Sequence, residues 1–296
     1  MIVRDWKDAA PSDMQRLYAR EQDYWTRELH WDAAAAWQEI EQARVGWGLR
    51  GCLAIDGNNA IRGWAYCLVE ESTAHLGAVV ADTPEATAAL VDACLEVALG
   101  RTRPVCVSCF GPGRATGVES VLESRGFRCE PYHYMSRPIA VGAGALDADP
   151  WTAADVEPAA RLFGAAYGPS GRHFAPHGTQ EEWEHYARTL VDRAGCGVME
   201  PAVTRVLRSA EGMEALVLAT RVAPDTVHLA QVAVHPSRRR EGLARKLVEE
   251  ACAAGAAGGA TRATLLVGDS NRPARALYAG LGFAETAVFL AGLLDA

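Results

Sequence analysis

The two halves of the chain read as the same succession of elements, and this internal duplication constrains the fold more than any other feature. In the second half, Thr152 with Asp155 three residues on opens an apolar-periodic run to residue 167. Thr179 with Glu182 then forms a capping box for a second helix. Runs at 203–207, 215–222 and 227–234 are β-branched or alternating, with polar turns between them, as in an antiparallel meander. The period then changes: 242–257 is helical, 263–267 a strand, 272–280 a short helix and 283–290 a last strand. The first half repeats this ααβββαβαβ order. Its helices fall at 12–29, 32–45, 84–99 and 116–124, and its strands at 52–55, 61–69, 74–80, 105–110 and from Phe127 onward. Between the halves, 140–150 is small, rich in Gly and Ala and closed by Pro150, the composition of a linker. A length of 296 residues suits two domains of roughly 150 each. The expected division is 1–139, linker 140–150 and 151–296.

Composition narrows the function. With 49% hydrophobic and 22% charged residues the chain can bury a sizeable core. Its 29 Lys and Arg against 37 Asp and Glu give a net charge of −8, which argues against nucleic acid as a partner. No run approaches the roughly 20 apolar residues that span a bilayer, so no membrane partner is expected. The start, Met1 to Trp6, lacks the apolar core of a secretory signal, and a cytoplasmic location is expected. Eight cysteines are too few for a disulfide scaffold, and Cys67, Cys94 and Cys252 lie in apolar runs. Cys106 and Cys109 form a lone CxxC with no second pair to complete a zinc site, so no metal is expected.

Chemistry concentrates in the second half. The strand His228-Leu229-Ala230-Gln231-Val232-Ala233-Val234 runs through His235-Pro236 into a turn, Ser237 to Gly242, that opens a helix. Such a turn aims free backbone N–H groups and the positive end of the helix dipole at one point, which suits a pyrophosphate. Small residues at Gly242 and Ala244 allow close approach, and Arg238, Arg239, Arg240, Arg245 and Lys246 add positive charge. A solvated basic loop before an ordinary helix has the same appearance. The Gly-Lys-Ser/Thr ending of a nucleotide-triphosphate loop is absent, as is GxGxxG.

Two motifs, in this order and spacing, resemble the GCN5-related N-acetyltransferase (GNAT) superfamily: Arg-x-x-Gly-x-Ala at 239–244 after an Ala-Val-x-Pro strand end, and Asn-x-x-Ala-x-x-Leu-Tyr-x-x-Leu-Gly-Phe at 271–283. The resemblance implies an α/β (α+β) fold of two tandem GNAT-like domains, each a mixed, mostly antiparallel sheet flanked by helices. It implies acetyl-CoA as co-substrate, with its pyrophosphate on the amides of Arg239, Arg240, Glu241, Gly242, Leu243, Ala244 and Arg245. The pantetheine arm would enter a wedge between the strands 227–234 and 263–267. There the amides near Val232, Ala233 and Val234 would meet the thioester carbonyl. Tyr278 matches the family tyrosine that protonates the departing thiolate; the structural alternative is a ring packed on a helix face. Asn271 matches a position on the cofactor arm, or else caps the helix before Pro273.

His228 is the candidate base, because an imidazole titrates near neutrality, and a simple structural histidine is the alternative. Strand alternation would put His228, Ala230 and Val232 on one face and Gln231 on the other. His-Leu-x-x-x-Ala-Val-His also resembles the arylalkylamine N-acetyltransferases, which use two histidines on this strand; here the second position is Ala230, which leaves deprotonation through water open. Aligning His75-Leu76 with His228-Leu229 puts Ala86, Ala89 and Val91 at Arg239, Gly242 and Ala244, and aligning the Gly-Phe endings puts Leu122 at Tyr278 and Ala115 at Asn271. A degenerate first domain and one active site in the second follow. The segment 167–178, with Tyr167, His173 and Phe174, is an aromatic loop that could contact the acceptor. The implied activity is acetyl transfer from acetyl-CoA to a primary amine of a small molecule or peptide. The tandem order also resembles the mycothiol synthases, which acetylate a cysteinyl sugar. A non-catalytic acyl-CoA sensor, or a first half that binds a carrier protein or forms a homo-oligomer, is the rival.

Overall fold

The computed structural model describes residues 1–69, 73–100, 106–141, 147–168, 175, 177–192 and 196–295. In chain order the first half gives β1 (Ile2–Asp5), α1 (Pro11–Leu29), α2 (Ala34–Gln42), β2 (Arg50–Ile55), β3 (Ile61–Val69), β4 (Thr73–Ala81), α3 (Pro84–Leu99), β5 (Cys106–Pro112), α4 (Val118–Glu123) and β6 (Arg128–Pro138). The second half gives β7 (Asp149–Pro150), α5 (Val156–Tyr167), α6 (Gln180–Asp192), β8 (Val198–Met199), β9 (Arg205–Ser209), β10 (Gly212–Ala223), β11 (Thr226–Val234), α7 (Leu243–Ala257), β12 (Arg262–Gly268), α8 (Arg272–Gly280) and β13 (Ala284–Leu294).

Local chemistry explains the boundaries. Pro11 and Pro84 sit in the first turns of α1 and α3, where a missing N–H costs nothing. Thr83 caps α3 by accepting from the Ala86 amide at 3.2 Å. The capping boxes expected at Thr152 with Asp155 and at Thr179 with Glu182 both form. β1 was not expected; four exposed residues carry no buried face for an alternating pattern to register.

All strands join one sheet in the order β1-β2-β3-β4-β5-β13-β6-β12-β11-β10-β9-β7, with β8 beside β10. The pairs β4–β5 and β11–β12 are parallel, and the remaining paired strands run antiparallel. The halves of the sequence are not the halves of the sheet. β6, which closes the first half, pairs along Tyr132 to Pro138 with β12 of the second. β13, which closes the second, pairs along Phe289 to Leu294 with β5 of the first. Because β13 and β6 also pair with each other, the division expected at 140–150 is crossed three times by backbone pairing.

Four apolar clusters line the two faces. One packs α3 and α4 on the first half, including Leu90, Leu122 and Phe127, and a second packs α7 and α8 on the second half, including Leu247, Tyr278 and Phe283. On the opposite face, Trp6, Trp31, Trp37 and Trp64 fill the space beneath α1 and α2, and Phe163 and Trp183 fill that beneath α5 and α6. Burial of such indoles and large aliphatics contributes roughly 1.5–3 kcal/mol or more per side chain, the dominant favourable contribution to folding. Among the described residues, no helix is long and apolar enough to cross a membrane.

Candidate functional site

β11 and β12 pair in parallel only from Thr226 and Arg262 to Leu229 and Leu265. Beyond that point β12 continues on β6 and β11 on β10, so the two strands part and the edge of β11 from Ala230 to Val234 faces an open gap. A bulge sits at the start of the gap. Leu218 pairs with Gln231 and Ala219 with Leu229, leaving Ala230 as the extra residue. The bulge reverses the strand's alternation and corrects the facing expected from simple period-2 reading. His228, Gln231 and Ala233 share the face covered by α1, α5 and α6, whereas Leu229, Val232 and Val234 share the face covered by α7 and α8.

The turn after β11 has the geometry its sequence suggests. Pro236 to Arg238 make one 3-10 turn, and Arg240 and Gly242 both take left-handed conformations, φ 69° and 81°. No side chain caps the start of α7, so the amides of its first turn point outward from an exposed loop. A Cβ on Gly242 would meet nothing within 4 Å; glycine is required there by φ, not by crowding. The basic residues divide by role. Arg238 pairs with Glu214 and Glu241, Lys246 pairs with Asp147 at 3.1 Å, and the Arg239 guanidinium donates to the Ala166 carbonyl at 2.6 Å, tying the turn to the end of α5. Among the described residues Arg240 and Arg245 have no ion pair. Sequence counting could not separate these two from their paired neighbours.

Tyr278, 6% exposed, extends from α8 into the cluster that holds Val232, Val234 and Leu243, under the open edge of β11. Burial pushes its phenol well above the ordinary tyrosine range, so it stays protonated. From the opposite face Tyr167, at the end of α5, donates its hydroxyl to Gln231 Oε1 at 2.6 Å and approaches the Val232 carbonyl at 3.3 Å. Burial and the neighbouring Tyr278 phenol push the Tyr167 hydroxyl upward as well. Gln231 Nε2 donates in turn to Tyr186 on α6. This Tyr167–Gln231–Tyr186 relay was missed in the sequence because, without the bulge, Gln231 faces away from the helices that supply its partners. His173 and Phe174 lie outside the described residues.

His228 lies one residue before the gap opens, 3% exposed. Its Nδ1 is 2.9 Å from Thr264 Oγ1, and its ring stacks on Tyr134 with centroids 5.9 Å apart and lies 5.3 Å from Trp31. Burial lowers its pKa to about 4, so it is a neutral and weak base at pH 7. Asn271 caps α8, its Oδ1 accepting from the Ala274 amide at 3.3 Å. No three His, Cys, Asp or Glu side chains among the described residues converge as a metal centre would need.

The first half supplies an internal comparison. β4 and β5 pair in parallel from Thr73 and Cys106 to Leu76 and Cys109 and then part, as β11 and β12 do. His75 Nδ1 meets Ser108 Oγ at 2.6 Å, the counterpart of His228 and Thr264. The phosphate turn has no counterpart: only residues 82–83 separate β4 from α3, against 235–242 between β11 and α7. Ala86, Ala89 and Val91 lie inside α3, and Leu122 is fully buried.

Comparison with known proteins follows this geometry. Residues 170–283 match the profile of the Acetyltransferase (GNAT) family. No curated protein matches the chain. Solved structures with the same fold include a GCN5-related N-acetyltransferase from Sphaerobacter thermophilus, 16% identical, covering 99% of this chain and 95% of that one with a TM-score of 0.65. A GNAT-family acetyltransferase from Colwellia psychrerythraea is 12% identical over 100% of both chains, TM-score 0.56. A tandem GNAT protein from the clavulanic acid biosynthesis pathway is 15% identical over 83% of this chain and 82% of that one, TM-score 0.53.

Proposed function

Residues 170–283 match the Acetyltransferase (GNAT) family, and on that match we propose an acetyl-CoA-dependent N-acetyltransferase with one active site, in the gap between β11 and β12. The acceptor is a primary amine of a small molecule or peptide. The observation that carries the reading is the union of an uncapped helix start, two left-handed turn residues and an unpaired strand edge in the second half, of which the first half keeps only the parted strands.

The co-substrate supplies an acyl group already activated as a thioester. The amides of residues 239–245 suit its pyrophosphate, and Arg240 and Arg245 offset the phosphate charge. The unpaired edge around Val232 to Val234 offers N–H donors where negative charge develops on the carbonyl oxygen. Tyr278, buried and protonated, gives its proton to the departing thiolate. Tyr167 and Gln231 line the face from which the amine arrives, and Tyr186 holds Gln231 in place. Burial and low basicity favour a packing role for His228, with the amine proton lost to water.

Calorimetric titration of CoA tests the location. Wild type should bind one CoA per chain. Gly242→Asp, free of clashes though strained by the left-handed φ, sets a carboxylate among the phosphate-binding amides and should weaken binding at least tenfold. Unchanged affinity would remove the turn from the site.

A further inference from the structure

The parted strands of the first half enclose more than a relic. Between β4, β5 and the helices α1 and α2 lies a cavity of 1060 Å³, which reaches from Val118 at α4 through the sheet to the ring of His228. Protein interiors leave few voids larger than a water, and pockets that bind small molecules run from roughly 300 to 1,000 Å³. Three indoles, Trp25, Trp31 and Trp37, line it together with Tyr66, Phe110 and Phe289. Such a lining rewards a molecule with apolar or ring surface.

We propose that this cavity binds an uncharged, largely apolar small molecule, at a site separate from the acetyl-transfer gap. Two observations set the class. First, phosphate has no seat here: the short connection into α3 holds Asp82, Glu85 lies in the first turn of α3, and Thr83 already occupies the Ala86 amide. A coenzyme with several phosphates would meet negative charge and no free amides. Second, of the five charged residues in the lining, Glu39, Arg50 and Glu96 are exposed to solvent, and the other two, Glu21 and Arg114, cancel. Glu21, 1% exposed, accepts from Arg114 Nη2 at 3.3 Å, and the Arg114 guanidinium stacks 4.3 Å from the Tyr24 ring centroid. An ionic ligand would find no uncompensated partner in this pair, and its desolvation would go unrewarded.

The probe for this site is 6-propionyl-2-dimethylaminonaphthalene, a neutral, apolar, fluorescent ketone. Titrated into the full chain, it should bind saturably at one per chain, with blue-shifted emission and energy transfer from the tryptophans. Excess CoA and the Gly242→Asp exchange should leave its affinity unchanged, so failure of this site and failure of the acetyl-transfer reading are separately visible. Ala36→Trp fills the cavity from α2 and should weaken the probe at least tenfold; Val79→Trp, from the opposite wall, should do the same if the first variant folds poorly. Absence of saturable binding would overturn the proposal. So would displacement by CoA that survives Gly242→Asp, or undiminished binding in both cavity-filling variants.

Discussion

Acid should unfold this protein through His228 at a pH where most carboxylates are still ionised. The imidazole is 3% exposed, and burial lowers its pKa to about 4 from the ordinary imidazole value of 6.5. Between those values the unfolded chain takes up a proton that the folded chain refuses. Stability is therefore complete above pH 6.5 and falls as the pH drops toward 4. Integrating the two titrations from pH 7 to pH 5 gives a loss of about 2 kcal/mol, and the full shift is worth about 3 kcal/mol. Urea unfolding at pH 7 and pH 5, in wild type and in His228→Phe, isolates this contribution because carboxylate titrations are common to both proteins. Phenylalanine keeps a ring against Trp31 and Tyr134 while giving up the bond to Thr264. The variant should start less stable at pH 7 and lose about 2 kcal/mol less than wild type on acidification. Equal losses in the two proteins would refute the reasoning, since His228 would then titrate alike folded and unfolded.

Other consequences are as direct. Tyr278→Phe should lower kcat by roughly 10²- to 10⁴-fold, the usual worth of a general acid, while CoA affinity measured by calorimetry stays the same. Tyr134→Phe removes the hydroxyl that donates to the Leu29 carbonyl at 2.7 Å and should cost about 1–3 kcal/mol in urea unfolding. Because β6 and β13 are exchanged, residues 1–141 and 147–296 made separately should each lack a strand neighbour and aggregate or fail to melt cooperatively, whereas co-expression should restore one cooperative unit. Two independently folded fragments, seen by circular dichroism, would contradict that reading of the sheet.

What the sequence could convey divides along physical lines. α3 and α8 begin and end where caps, prolines and apolar period put them, since those signals are local. The duplicated order and the turn that opens α7 at Gly242 were legible for the same reason. The exchange of β6 and β13 was not, because strand partners are chosen across more than a hundred residues and alternation carries no information about the neighbour. Gln231 was lost to the bulge at Ala230: one unpaired residue inverted the face of everything after it, and it took Val232 away from His228. His228 itself illustrates the limit of residue type. An imidazole near neutrality suggests a base, yet only the packing of Trp31 and Tyr134 around it reveals a group held neutral.

The central claim is acetyl transfer to an amine at the second-half gap. Mass spectrometry of products settles it, with acetyl-CoA offered alongside amino acids, peptides, polyamines, arylalkylamines, aminoglycosides and cysteinyl sugars, and mass detection avoids the background of the eight cysteines. The account predicts an amine 42 Da heavier (the mass of an acetyl group replacing hydrogen, about 42 by simple composition) that accumulates over many turnovers in wild type and is slowed by both Tyr278→Phe and Gly242→Asp. Turnover that is indifferent to both exchanges, or tight CoA binding with no acceptor modified, would contradict it.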